Sequence, residues 1–119
     1  LDHFANEIRN GNNSQFGYVV VYEGKHDRYV YDRRSNGTLK TFLPVEGEAN
    51  RYGETVRNYL QKNRGISKND LMIVSGGFRE KFSTELWIVP RGGKIPKATP
   101  TKDTMKYRRG DPTDICDGI

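Results

Sequence analysis

The sequence predicts an α+β fold, an α/β two-layer sandwich in which two helices cover one face of a mixed sheet, and three observations carry that expectation. Residues 50–90, NRYGETVRNYLQKNRGISKNDLMIVSGGFREKFSTELWIVP, run without a break through a helical pattern, a strand, a turn signal and a second strand. Phe16 to Tyr22, FGYVVVY, concentrates aromatic and β-branched residues as a central strand does. From Arg91 onward neither periodicity is present, and prolines, glycines and charges predict an extended tail.

Taken in order, Leu1 to Asn10 places Leu1, Phe4, Ala5 and Ile8 on one helical face, and Gly11-Asn12-Asn13-Ser14 ends it. The strand at Phe16 follows. Glu23 to Ala49 is too long and polar for an ordinary connection. Asn36-Gly37 is the preferred type I′ pair, so an inserted hairpin is expected over about 24–49, with arms Arg28–Arg34 and Thr38–Leu43. In the next helix Tyr52, Val56, Tyr59, Leu60 and Asn63 share a face, opposite Glu54, Arg57, Asn58, Gln61 and Lys62. Gly65 suits a left-handed cap, with Ile66 folding back on the helix. Leu71 to Val74 is a short strand, Gly76-Gly77 is read as a sharp reversal, and Glu85 to Val89 is a last strand stopped by Pro90. The division is therefore a domain over 1–90 and a tail over 91–119.

Apolar residues make up 34% of the 119, which predicts one small core. Net charge is +5; seven basic and four acidic residues lie from Arg91 onward, so +3 of it belongs to the tail. Such a tail is drawn to anionic surfaces of any kind. It is expected to be mobile alone and to order across a partner, with Met105 and Tyr107 as anchors. Cys116 is the single cysteine, which leaves no intrachain disulfide or cysteine-based metal site, only a free thiol or an interchain bridge. No apolar run approaches the roughly 20 residues of a membrane-spanning helix.

Chemistry is sparse. His3 and His26 lack companions at zinc spacing and are read as ordinary surface or boundary residues, with no metal and no cofactor expected. Asp27, Asp32, Glu46 and Glu48 are read as a solvated loop, for want of anything that separates their pKa values. Ser75 beside Gly76-Gly77 lacks a nucleophile elbow and a base, so no catalytic residue is assigned. Trp87 is read as sheet packing. Arg28, Arg33, Arg34 and Lys40 alternate with Tyr29, Tyr31 and Phe42, as a two-faced hairpin requires and as single-stranded nucleic-acid binding also could. The tripeptide Arg109-Gly110-Asp111 and the sequons at Asn12 and Asn36 have no supporting context.

With the Leu1 helix and the Phe16 strand before it, the segment from Asn50 to Val89 resembles the OmpA-like C-terminal domain. It carries Val56, Tyr59 and Leu60, Arg64-Gly65-Ile66, Leu71-Met72-Ile73-Val74, and Gly76-Gly77-Phe78-Arg79-Glu80. LDHFANEI, GYVVVY, NYLQKNRGI and GGFREKFSTELWIVP look like a divergent bacterial branch of extracytoplasmic proteins with a proline-rich tail. The resemblance implies a periplasmic or cell-surface location, peptidoglycan binding, and a strand before Leu1 that would leave an unpaired edge beside Phe16. In the family an aspartate and an arginine hold the ends of diaminopimelate; their registers fall here near Lys25 and on Tyr52, with Asp27 and Arg51 displaced from them. The expected function is thus a non-catalytic structural or accessory subunit of an envelope assembly, touching other protein chains through Tyr29, Tyr31, Arg33, Arg34, Met105, Tyr107, Arg108 and Arg109. A peptidoglycan anchor using a shifted site of Lys25, Asp27, Arg51 and Tyr52 is the alternative, and nucleic-acid binding by the hairpin a second one.

Overall fold

The apolar spacing near the start folds as α1, Asp2–Asn10, with Phe4, Ala5 and Ile8 buried. A computed structural model describes residues 1–33 and 35–110, so Arg34, Asp111 and Cys116 lie outside the described residues. Four strands follow or flank the second helix: β1 Gln15–Asp32, β2 Ser35–Phe42, β3 Leu71–Lys81 and β4 Ser83–Pro90. Helix α2, Glu48–Asn58, continues into a π-helical turn over Tyr59–Asn63. The result is an α+β fold with a mixed four-stranded sheet.

Both helices lie on one face of that sheet. Phe4, Ala5 and Ile8 of α1 and Ala49, Val56 and Leu60 of the second helix close over Val19, Val21 and Leu71. Val19, Val56 and Leu60 are completely buried, and each such side chain is worth about 1.5–3 kcal/mol relative to leaving it in water. Gly65 takes the left-handed conformation at φ 67°, Ile66 N–H donates to Leu60 O at 2.9 Å, and Ile66 joins this core, as the sequence predicts. Asp2 accepts from the Tyr59 hydroxyl and lies 3.2 Å from Arg64 Nε, which lashes α1 to the end of the longer helix. Asn63, placed on the buried face by spacing, is exposed, because the π turn rotates it outward.

The sheet departs from sequence expectation in three places. The edge of β1 expected to be open beside Phe16 is filled by β4, antiparallel from Gln15↔Pro90 to Tyr22↔Ser83. On its other edge β1 pairs with β3 in parallel, from Gly17↔Leu71 to Lys25↔Lys81. Gly76-Gly77 does not reverse the chain. It lies inside β3 at a shift of register between Val21↔Ser75 and Tyr22↔Gly77, and a Cβ on Gly76 would lie 2.4 Å from the Tyr22 ring. The expected hairpin forms, its first arm being the second half of β1 itself, but its turn is displaced. Asp32 pairs with Ser35 and Val30 with Thr38, so the reversal falls between Asp32 and Ser35, while Asn36-Gly37 is absorbed at a bulge in β2.

Because β3 and β4 occupy opposite edges of the same stretch of β1 and only Phe82 joins them, the connection must pass over β1. Sequential strands usually neighbour one another, and here they do not. The crossing is at Gly24. A Cβ there would lie 2.3 Å from the Lys81 carbonyl carbon, 2.5 Å from Phe82 N and 2.6 Å from Arg79 O. Phe82 N–H donates to Lys25 O at 3.0 Å, and its ring packs against His26 and edge-on against Tyr52. Backbone atoms cannot swing aside as a flexible side chain can. Gly24→Ala should therefore cost about 3 kcal/mol or more in urea unfolding, whereas Gly92→Ala, with open space around it and only its φ of 82° to strain, should cost about 1 kcal/mol. Equal effects of the two substitutions would contradict this crossing.

Candidate docking interface

Beyond Lys25, among the described residues, β1 pairs only with β2, so residues 26–42 form a two-stranded ribbon with neither β3 nor β4 beside it. Pairing across it sorts the side chains. Tyr29 faces Leu39, and Tyr31 lies two residues on, so these three share one face; Arg28 faces Lys40 on the other. Tyr29, Tyr31 and Leu39 are 64%, 71% and 54% exposed. The two tyrosine rings are 6.4 Å apart, and Tyr31 lies close enough to Gly37 that a Cβ there would approach its ring to 2.6 Å. Like charges directly opposite destabilise an antiparallel pair, and Arg28 and Lys40 have no carboxylate partner among the described residues. The ribbon thus carries an aromatic face and a cationic face, both turned to solvent. At its base Asp27 accepts from Thr41 at 2.6 Å and from Lys81 at 2.7 Å. The bond from Lys81, with that from Thr41, holds the Asp27 carboxyl below its usual range.

The tail is a strap on its own domain. It leaves Pro90 through Arg91, whose guanidinium donates to Asn13 O at 2.8 Å and to Asn69 O at 3.2 Å and pairs with Asp70. It then crosses the sheet face that the helices leave open, because Thr99 meets Tyr22 there: Thr99 N–H donates to the buried Tyr22 hydroxyl at 3.0 Å. Arg79 binds the same point, its Nη2 2.6 Å from Thr99 Oγ1 and 3.2 Å from Glu85 Oε2, its guanidinium carbon 3.4 Å above the Tyr22 ring. Burial pushes Glu85 up, but bonds from Arg79, Trp87 and Tyr22 outweigh it and hold the carboxyl low. Thr101 and Lys102 then bond to Phe78 O on the outer edge of β3, and Lys102 Nζ reaches Glu80 at 2.7 Å.

Past that edge the strap returns on the helix side. Tyr107 donates to Glu23 Oε2 at 2.8 Å, and burial, with that bond, pushes the phenol up to about 12. Arg108 donates from its backbone to Pro44 O at 2.9 Å and from Nε to Leu43 O at 2.9 Å. Its Nη2 is 3.4 Å from Glu48 Oε1. Glu48 is completely buried at the first turn of α2, with its other oxygen 2.9 Å from His26 Nε2, though off the line a hydrogen bond needs. Sequence reading missed this buried carboxylate, placing Glu48 in a solvated loop, and with it the pairing to His26, expected to be a surface or boundary residue. The one available signal was position: an acidic residue in the first turn of a helix complements the dipole.

The expected site residues are largely engaged within the chain. Lys25 is bonded to Glu80 at 2.9 Å and Asp27 to Lys81 and Thr41, Tyr52 packs on Phe82, and Arg51 is exposed on α2. Tyr107 and Arg108 are engaged within the chain, Met105 is half-buried, and Arg33 and Arg109 are exposed. Tyr29 and Tyr31 are where a partner could reach them. Besides the ribbon, a groove of about 250 Å³ runs between the second helix and β3, lined by residues that include Gly53, Arg57 and Ile73 and by none of Lys25, Asp27, Arg51 and Tyr52. No group of three or more histidine, aspartate, glutamate or cysteine side chains is placed to hold a metal, and no helix is long and apolar enough to cross a membrane, among the described residues.

The strap's edge contact has an acid limit. Bonds from Lys102 and Lys25 hold Glu80 down to about 2 from its ordinary 4.5. A depressed carboxyl favours the fold fully above its unfolded pKa and loses that contribution as pH falls toward the folded one. The Thr101 and Lys102 amide NMR shifts should therefore move toward unfolded values between pH 4.5 and 2, and in Glu80→Gln they should be displaced already at neutral pH. Shifts that stay fixed in both experiments would show that the strap is held without this pair. Compared with protein-family models, with curated proteins and with solved structures, the chain matches none of them.

Proposed function

We propose that this chain is a non-catalytic, extracytoplasmic accessory subunit of a cell-envelope assembly, and that it docks on other protein chains through the β1–β2 ribbon. The observation that carries the docking is the unbacked aromatic face of Tyr29, Tyr31 and Leu39. A two-stranded ribbon is marginal in water by itself, and tyrosines on a projecting element are the side chains that supply most binding energy once a partner desolvates them. The cationic pair of Arg28 and Lys40 on the reverse selects an acidic surface. The envelope setting is supported by the resemblance of residues 1–90 to OmpA-like domains. Against a peptidoglycan anchor stands the use of Lys25 and Asp27 in ion pairs of the chain's own.

The test is a native-mass measurement of the protein isolated from envelope extracts, with Tyr29→Ser/Tyr31→Ser beside it. The wild-type chain should copurify with a partner subunit, and the double variant should lose it while its unfolding free energy stays within about 0.5 kcal/mol of wild type, as for other exposed positions. A wild-type chain found only as monomer, or bound only to sacculi, would overturn the proposal.

A further inference from the structure

Among the described residues the outer edge of β3 is paired once, where Phe78 meets Lys102 of the strap in antiparallel register. Leu71 to Ser75, on the same edge, have β1 on one side and, among the described residues, no strand on the other. Beside this open stretch lies the groove of about 250 Å³ under α2. Val21, Ala49, Gly53 and Ile73 give it an apolar lining, and Ser75, Glu54 and Arg57 a polar one. Val74 packs its side chain with Tyr18 and Val20 on the opposite face, so it can meet the groove only through its backbone.

Two features mark the groove as kept open. Gly53 sits inside α2, where glycine costs about 1 kcal/mol relative to alanine; a Cβ there would press on Ile73 Cγ2 at 3.3 Å, tighter than ordinary contact, and meet no other atom within 4 Å. Helix stability alone would favour a side chain at this position. Arg57 is half-buried at the rim and has neither a carboxylate nor a hydrogen-bond partner among the described residues.

We propose that β3 and this groove form a binding site for an extended, acidic peptide segment of another protein, which adds as a strand along Leu71–Ser75. The peptide seats one apolar side chain over Gly53 and sets a carboxylate against Arg57. The chain's own strap shows the mode, since Thr101 and Lys102 already donate backbone hydrogen bonds to this edge at Phe78 O. Addition of a strand satisfies the open backbone groups, and alternate side chains entering the groove supply selectivity. Charge complementarity chooses the sign: the half-buried guanidinium of Arg57, without a partner among the described residues, binds a carboxylate through charge-assisted hydrogen bonds, while Glu54 on the same lining is exposed to solvent. This site is separate from the ribbon and does not depend on the ribbon's role.

The probe is an array of ten-residue linear peptides of unbiased sequence, followed by amide NMR titration of the strongest binders. Binders should carry an acidic residue near an apolar one, and should shift Leu71–Ser75 and Gly53–Arg57 while leaving Tyr29 and Tyr31 unmoved. Gly53→Leu, which fills the groove, should weaken them at least about tenfold. Gly53→Ala, which keeps the fold and narrows the floor, should weaken them less, and Arg57→Ala should weaken acidic binders about tenfold. Exchanging the peptide's acidic residue for lysine should abolish binding to the wild-type chain. Absence of any binder at millimolar peptide, or binders whose shifts fall on the ribbon or on β4, would overturn the site.

Discussion

At Gly24 two backbones touch with no side chain between them, and the other features of the architecture rest on that contact. The Lys81–Phe82 peptide lies directly over β1 there. Because the crossing takes a single residue, β1 is flanked by β3 on one edge and β4 on the other and still runs on past both. The continuation becomes the first arm of the ribbon, which adds length to the molecule: its extents are 53 × 31 × 22 Å. Its Cα radius of gyration, 16.2 Å, exceeds the about 13.5 Å of a compact chain of this size. One close approach thus produces both a three-strand core and an element that leaves it.

The strap answers a different constraint. A sheet with helices on one face exposes the other, and here Tyr18, Val20, Tyr22 and Val89 form a second buried cluster on that face. The strap passes across it, anchored at Thr99, and then rounds the β3 edge to reach Glu48. A buried carboxylate that loses a charged partner costs about 3–5 kcal/mol, so Arg108, the strap's contact with Glu48, ties docking of the strap to the fold at α2. A segment with the composition of a free arm is held by bonds to Tyr22, Phe78, Glu23, Leu43 and Pro44, each made by one or two residues separated by charged and proline-rich spacers.

Local features were legible in the sequence. The helical faces, the Gly65 cap with Ile66 behind it, and the FGYVVVY strand follow from side-chain periodicity and backbone preference, which are properties of neighbouring residues. Long-range pairing was not. Gly76-Gly77 looks like a reversal, but Gly76 is needed because the Tyr22 ring, from more than fifty positions away, lies against it, and Gly77 because its φ is 102°. Asn36-Gly37 has the preferred turn chemistry and still sits beside the turn, since the register of the ribbon is set by pairing from His26↔Phe42 outward and a bulge takes up the difference. Glu48 reads as loop surface because nothing near it in sequence announces Arg108. The aromatic ribbon was visible as alternating Tyr and Arg; the groove was not, because its lining comes from β1, α2 and β3, which only the fold brings together.

These two surfaces share one scaffold, in which the paired core positions the ribbon and leaves one stretch of β3 open. The topology of that core is therefore the claim on which the account stands. Cross-strand NOEs in the isotope-labelled protein test it most directly. The account predicts antiparallel contacts of β1 with β4, Tyr18 to Trp87 and Val20 to Glu85, together with parallel contacts from the same β1 residues to Met72 and Val74. Contacts joining β3 to β4 as an ordinary hairpin, with β1 paired on one side only, would contradict it.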